Sequence, residues 1–164
     1  MADFFDLLNN RRSIRDYKDK SVPVQLVREI LKDANLAPSA SDGQPWRFII
    51  ITDRDLMKRL SDECKKNLVS EIEKNPGSPI GRYETILRDP DFNVFYNAPC
   101  VVYILGDSSV RTLEIDCALA AAYFMFSASA RGLGTCWIGL GKQVQDPSLI
   151  MEIGLPKEHE IVAP

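Results

Sequence analysis

LEIDCALAAAYFMFSASARGLG, residues 113–134, decides how the rest of the chain is read. At 3.6 residues per turn it makes about six helical turns. Between Asp116 and Arg131 it carries no charge, and apolar or small residues fall on every side of it. A helix without a polar face is buried all round, in a core or in an interface between subunits. Its length approaches a bilayer span. Glu114, Asp116 and Arg131 nevertheless sit inside its turns, and its small residues suit close helix packing, which argues against a membrane. Ser108-Ser109 supplies capping side chains ahead of it, and Gly132 and Gly134 end it. Thr135-Cys136-Trp137-Ile138-Gly139 follows as a short β-prone run and reads as a buried strand. Gly139-Leu140-Gly141 then leaves bare main chain at a strand end, where backbone can meet a flat ligand.

The 164 residues, 45% of them hydrophobic, are enough for one domain with a real core. A net charge of −3 and a pI near 5.2 argue against a nucleic-acid-binding surface. Cys64, Cys100, Cys117 and Cys136 form no CxxC pair, and three of them lie in apolar runs, so they read as buried structural thiols. His159 is the single histidine, too little for a histidine-rich metal site or a Ser-His-Asp triad. Asp3 and Asp6 interrupt the N-terminus and no cleavage site follows, so a cytoplasmic protein without a signal peptide is expected. No repeat or linker divides the chain, and residues 1–164 read as one domain.

Outward from the central helix, Asp3 is placed to cap a first short helix whose apolar side is Phe4, Phe5, Leu7 and Leu8. Arg11-Arg12-Ser13-Ile14-Arg15 then sets three guanidinium forks and a hydroxyl in five residues. That pattern fits an anion site, though a solvated basic turn has the same composition. Pro23 starts a second helix with Leu26, Val27, Ile30, Leu31 and Ala34 on one face. Ala37 to Trp46 is an irregular loop of small residues. Trp46 to Thr52, with three consecutive isoleucines, reads as a strand buried on both faces. Asp53 caps a long amphipathic helix carrying Leu56, Leu60, Cys64, Leu68 and Ile72. Residues 78–97 mix aromatics, prolines and acids, and fit either a partly helical flap over a pocket or ordinary packing. Pro99 to Leu105 is a second buried strand, Asp146-Pro147 opens a last short helix, and Ile161-Val162-Ala163 begins another strand.

Taken in order, these pieces resemble the nitroreductase family of FMN-dependent oxidoreductases. The resemblance is carried by Arg11-Arg12-Ser13-Ile14-Arg15, by Ala37-Pro38-Ser39 running on to Gln44-Pro45-Trp46, by the alanine-rich helix, and by Gly132-Leu133-Gly134-Thr135-Cys136-Trp137-Ile138-Gly139. It implies an α+β fold, a central mixed β-sheet flanked by helices, in an interlocked homodimer with FMN at the interface. By the same resemblance, Arg11, Ser13 and Arg15 correspond to phosphate contacts, with Arg12 toward the ribityl chain or a ring carbonyl. Pro38, Ser39 and Ala40, with Asp42 and Gln44 after them, correspond to the loop that reaches the other subunit's flavin. Trp137, Ile138 and Gly139 correspond to the strand under the ring, with the Gly139 or Leu140 amide directed at its N5. Asp42 departs from the asparagine of many relatives: a carboxylate accepts from the flavin N3–H but cannot donate to a ring oxygen.

The activity implied is hydride transfer from NADH or NADPH, through the flavin, to nitroaromatics, quinones or similar flat acceptors. Such chemistry resides in the cofactor, which explains why no acid–base pair stands out. The resemblance also admits a specialised flavoenzyme such as a reductive dehalogenase, or a flavin-binding protein without turnover. A small-molecule acceptor is the expected partner, with neither nucleic acid nor membrane. Relatives carry a further C-terminal strand and tail past the position of Pro164, so weaker FMN retention is expected of the chain as written.

Overall fold

A computed structural model describes residues 3–164. Asp3 accepts a hydrogen bond from the Phe5 amide and starts α1 (Phe4–Asn10), as its capping position predicts. The apolar side of this helix is not buried within the chain: Phe4, Phe5 and Leu8 are all exposed. Pro23 occupies the N-cap of α2 (Val24–Ala34), which buries Val27, Ile30, Leu31 and Ala34. The Asp53 carboxylate accepts from the Leu56 amide at the start of α3 (Arg54–Lys74), whose buried face runs through Met57, Leu60, Cys64, Leu68 and Ile72.

Three strands form one sheet in the order β1 (Trp46–Ile51), β2 (Val101–Asp107), β3 (His159–Ala163). All pairings among them are antiparallel, from Trp46↔Gly106 to Ile51↔Val101 on one side of β2 and from Asp107↔His159 to Ile104↔Ala163 on the other. The only parallel pairing among the described residues is an isolated bridge, Ser13↔Thr135. Two expectations change here. Thr135 to Gly139 is not a full strand: Thr135 alone pairs, and the chain then enters a 3₁₀ turn, Gly139–Lys142. β1 is an edge strand, so Ile49 and Ile50 are only half-buried despite the isoleucine run.

Side chains of β2 alternate between two packed layers, as a pleated strand requires. Tyr103 and Leu105 face α3 and α6 (Pro147–Glu152), while Ile104 faces α5 (Leu113–Ala130). α5 packs so close to β2 that a Cβ at Gly106 would lie 2.7 Å from the Pro45 carbonyl oxygen and would overlap Leu113. Its N-cap is Thr112 rather than the Ser108-Ser109 pair, which instead turns under Asp107 and Glu158. At its other end the Gly132 amide bonds to the Ser129 carbonyl and the Leu133 amide to that of Ala128, with Gly132 at φ +75°. That is the left-handed glycine stop its sequence announces.

α5 is not buried on every side within one chain. Cys117, Ala120, Ala121 and Ala128 enter the core, while Ile115 (65% exposed), Leu119 and Tyr123 (42%) stay open on the far side. It is long and apolar enough to cross a membrane by length and composition. Its inner face nevertheless packs on the sheet and α2.

Residues 78–97 form a 3₁₀ turn, Pro79–Tyr83, the short α4 (Glu84–Leu87) and a series of turns. Leu87, Val94 and Phe95 are inserted into the core, so the segment is packing and not a flap. Lys65 secures it: its buried ammonium donates to the carbonyls of Asp89 at 2.6 Å and Phe92 at 2.8 Å. Replacing the ammonium by a thioether in Lys65→Met strips the charged donor from both carbonyls; that of Asp89 keeps only the Phe92 amide at 3.3 Å, and that of Phe92 keeps no partner among the described residues. Two charge-assisted bonds of this kind correspond to about 3 kcal/mol. The variant should therefore unfold at clearly lower urea at fixed protein concentration, and an unchanged midpoint would show that the clamp contributes nothing.

Candidate functional site

The arginine segment is held by main chain. The Ile14 amide donates to the Thr135 carbonyl at 2.9 Å, closing the Ser13↔Thr135 bridge and laying residues 11–15 beside residues 134–138. Gly134 permits this approach, since a Cβ there would sit 2.7 Å from Ile14 Cγ1 and 2.9 Å from its Cβ. Arg11 is half-buried, and Arg12, Ser13 and Arg15 are exposed. Arg12 donates back to the carbonyls of Asn9 and Arg11, and the Arg15 guanidinium lies 5.9 Å from the centre of the Tyr96 ring. Among the described residues none of the three forms an ion pair, although seven pairs are made elsewhere in the chain. Three cations without carboxylate partners can take an outside anion.

Tyr17, absent from the sequence-based set, completes this wall. Its hydroxyl donates to the Ile14 carbonyl at 2.7 Å. Burial, reinforced by the nearby Cys136 and opposed by Arg15, pushes its pKa up to about 12. It is therefore a neutral donor at physiological pH.

Beyond Thr135, the Ile138 amide bonds to the Pro164 carbonyl and the Gly141 amide to that of Ile138. The amides of Gly139 and Leu140 have no hydrogen-bond partner among the described residues, and a Cβ at Gly139 would meet nothing within 4 Å. Two adjacent free donors on open main chain suit an acceptor edge of a ligand. Beside them a largely apolar cleft of about 900 Å³ runs between α2, the start of β2 and the second half of α5. Ile14, Tyr17, Phe124, Trp137 and Ile138 contribute to its wall. Trp137 and Ile138 are the only members of the sequence-based set that line it.

The remaining members lie elsewhere. Pro38, Ser39, Ala40, Asp42 and Gln44 belong to a loop against the first turn of α5, where the Ala40 amide donates to Asp116 Oδ1 at 3.0 Å. The Ser39 hydroxyl accepts from the Gln44 amide, and Gln44 Nε2 donates to the Asn35 carbonyl. Asp42 is exposed, and its carboxylate has no partner among the described residues. From Asp116 to the end of α5 the helix rises about 20 Å at 1.5 Å per residue. The structure thus collects Arg11, Arg12, Ser13, Arg15, Trp137, Ile138 and Gly139 at one end of α5 and the loop at the other. Sequence reading missed Asp116 and Tyr17; the signal for Asp116 was a carboxylate on the side of α5 that carries Cys117, Ala120 and Ala121 into the core.

A sequence profile described as the Nitroreductase family matches residues 8–163. A protein of Methanothermobacter thermautotrophicus described as an NADH dehydrogenase/NAD(P)H nitroreductase is 28% identical over 142 residues, 84% of this chain and 61% of its own length. An iodotyrosine deiodinase of Thermotoga neapolitana is 27% identical over 139 residues, covering 82% of this chain and 73% of its own length. A Bacteroides fragilis nitroreductase solved with bound FMN superposes with a TM-score of 0.84 at 20% identity, over 99% of this chain and 86% of the other. At that identity the likeness speaks for the fold.

The contact of Gly134 with Ile14 can be broken without touching an arginine. Gly134→Ala should speed amide exchange at Ile14 at least tenfold, since the added methyl group cannot fit without separating the two segments. Unchanged exchange at Ile14 would mean that the bridge does not hold the arginines in place.

Proposed function

The chain belongs to the nitroreductase family, and on that premise we propose that it is an FMN-dependent oxidoreductase that takes electrons from NADH or NADPH and gives them to flat, electron-poor acceptors such as nitroaromatics and quinones. The observation that carries this reading is the pairing of three arginines without carboxylates and two unpartnered amides along one bridged segment. Those groups fit FMN, which has a dianionic phosphate at one end and a flat ring with acceptor atoms at the other. Arg11, Ser13 and Arg15 would hold the phosphate, and Arg12 the ribityl chain or a ring carbonyl. The free amides of Gly139 and Leu140 would meet the ring edge, with Trp137 and Ile138 beneath it. When bound, FMN supplies the two-electron redox chemistry. The protein's part is to orient the ring and leave one face open to donor and acceptor in turn.

The loop at the far end of α5 supports a homodimer as the complete unit. About 20 Å of helix separates it from the arginines of its own chain, but two copies packed about α5 would bring one copy's loop to the other copy's arginines. The open face of Ile115, Leu119 and Tyr123, with Phe4, Phe5 and Leu8 of α1 also bare, is the apolar surface such packing would cover. Ala121 faces the core, so a charge there would test folding and not assembly.

A second reading, a reductive dehalogenase, is favoured by the identity to the deiodinase over most of this chain. Stopped-flow reduction by NADH and NADPH, followed by a screen of nitroaromatics, quinones and halogenated tyrosines, separates the two. Absence of flavin absorbance after incubation with FMN would overturn both.

Two variants probe the binding reading. Arg11→Ala should weaken FMN roughly ten- to a hundredfold, the loss of one charge-assisted contact, and hardly change riboflavin, which has no phosphate. Equal losses for both ligands would remove Arg11 from the phosphate site. Leu119→Lys should give a folded monomer with weakened flavin binding, measured by sedimentation and absorbance. A dimer that survives this substitution would place the interface elsewhere.

A further inference from the structure

We propose that Asp116 is a positioning residue that sets where the Ser39–Gln44 loop meets the ring edge of the flavin. The proposal deepens the reading above and rests on its assignment of that loop to flavin. The loop is held against its own backbone preference: Ser41, Asp42 and Gln44 all have φ between +42° and +54°. Non-glycine residues persist there only where surrounding contacts over-determine the conformation. Most of those contacts are internal to residues 35–46. Asp42 and Gly43 amides bond to Ser39 and Ala40 carbonyls, the Gln44 amide to Ser39 Oγ, Gln44 Nε2 to the Asn35 carbonyl, and Trp46 Nε1 to Asn35 Oδ1. They fix the loop's shape and tie its two ends to α2 and β1, but they give its middle, Ser39 to Asp42, no bond to any other element.

The bond from the Ala40 amide to Asp116 Oδ1 at 3.0 Å is different, because it joins the loop to a residue 76 positions away. Asp116 is 3% exposed, and its other oxygen accepts from Thr112 Oγ1 at 2.8 Å. Among the described residues it has no cationic partner. The buried carboxylate is supported by its place in the first turn of α5, where a helix favours negative charge. One residue away, Ile115 opens on the apolar face that a second copy would cover. Asp116 therefore registers the loop on the same helix turn that would register the two subunits, and so fixes the loop relative to the partner's arginine site.

The test uses the full chain with Asp116→Ala, Asp116→Asn and, as a control for stability alone, Ser61→Ala, which removes a buried acceptor from the Val94 amide near α3. Asparagine keeps an acceptor for Ala40, and alanine does not. In Asp116→Ala the Ala40 amide should exchange at least tenfold faster. FMN and riboflavin should both weaken by a similar factor, roughly five- to tenfold for one lost hydrogen bond, because the loop touches the ring and not the phosphate. The flavin midpoint potential should move as well, and Asp116→Asn should restore all three. Should Asp116→Ala fail to fold, Thr112→Val loosens the same carboxylate and should shift the same readouts less. Two results would overturn the proposal: unchanged Ala40 exchange, or a loss of stability like that of Ser61→Ala with flavin affinities and potential unmoved. A wild-type chain that binds no flavin would instead overturn the assignment of the loop to flavin, whatever Ala40 exchange shows.

Discussion

Everything else in the structure depends on the close seating of α5 on the sheet. Gly106 leaves no room for a side chain between β2, Pro45 and Leu113, and Cys117, Ala120 and Ala121 present only small groups to the strands. Short side chains bring a helix nearer to a sheet, and dispersion falls off steeply with even a small gap. The helix is thereby fixed in position and rotation together. Its inner face is spent on β2 and β3, and the residues left outside, Ile115, Leu119 and Tyr123, are set by that choice.

A rigid central helix also fixes two distances. Its first turn holds the Ala40 loop through Asp116, and its glycine stop delivers Thr135 to Ser13. Both ends are therefore placed by one element, with no hinge between them. A flexible connection would make the geometry of a shared site variable, whereas a helix clamped along its length makes it a property of the fold. In the homodimer proposed above, the two halves of the site would come from different copies, each delivered by its own α5.

Much of this was legible in the sequence because the signals were local. Asp3, Asp53 and Asp146 all cap helices where their positions said they would, and the spacing of Leu60, Cys64, Leu68 and Ile72 gave the buried face of α3. The family, and with it the α+β fold, followed from the order of short motifs. What was not legible depended on pairing. Thr135 to Gly139 has strand composition, but it meets Ser13 in a single bridge and turns away at Gly139. The isoleucines of β1 look doubly buried, yet the strand sits at the sheet edge. Residues 78–97 were ambiguous because the ammonium that orders their carbonyls belongs to Lys65, on another element. The bond from Asp116 to Ala40 spans 76 positions, beyond the reach of any periodicity argument.

The electrostatics follow the same division between local and global. The chain carries a net charge of −3, which by itself would discourage a phosphate. Residues 11–20, however, hold five cationic and two acidic side chains, and one of those acids, Asp19, is paired with Arg54. At physiological ionic strength exposed charges are screened beyond about 8 Å. The acidic remainder of the surface is thus mostly invisible to the arginines, and the sign of the site is decided within the segment that Gly134 lets against Thr135. Under the proposed reading, anion recognition by this segment would be a consequence of one backbone bridge. The net charge of the molecule says nothing against it.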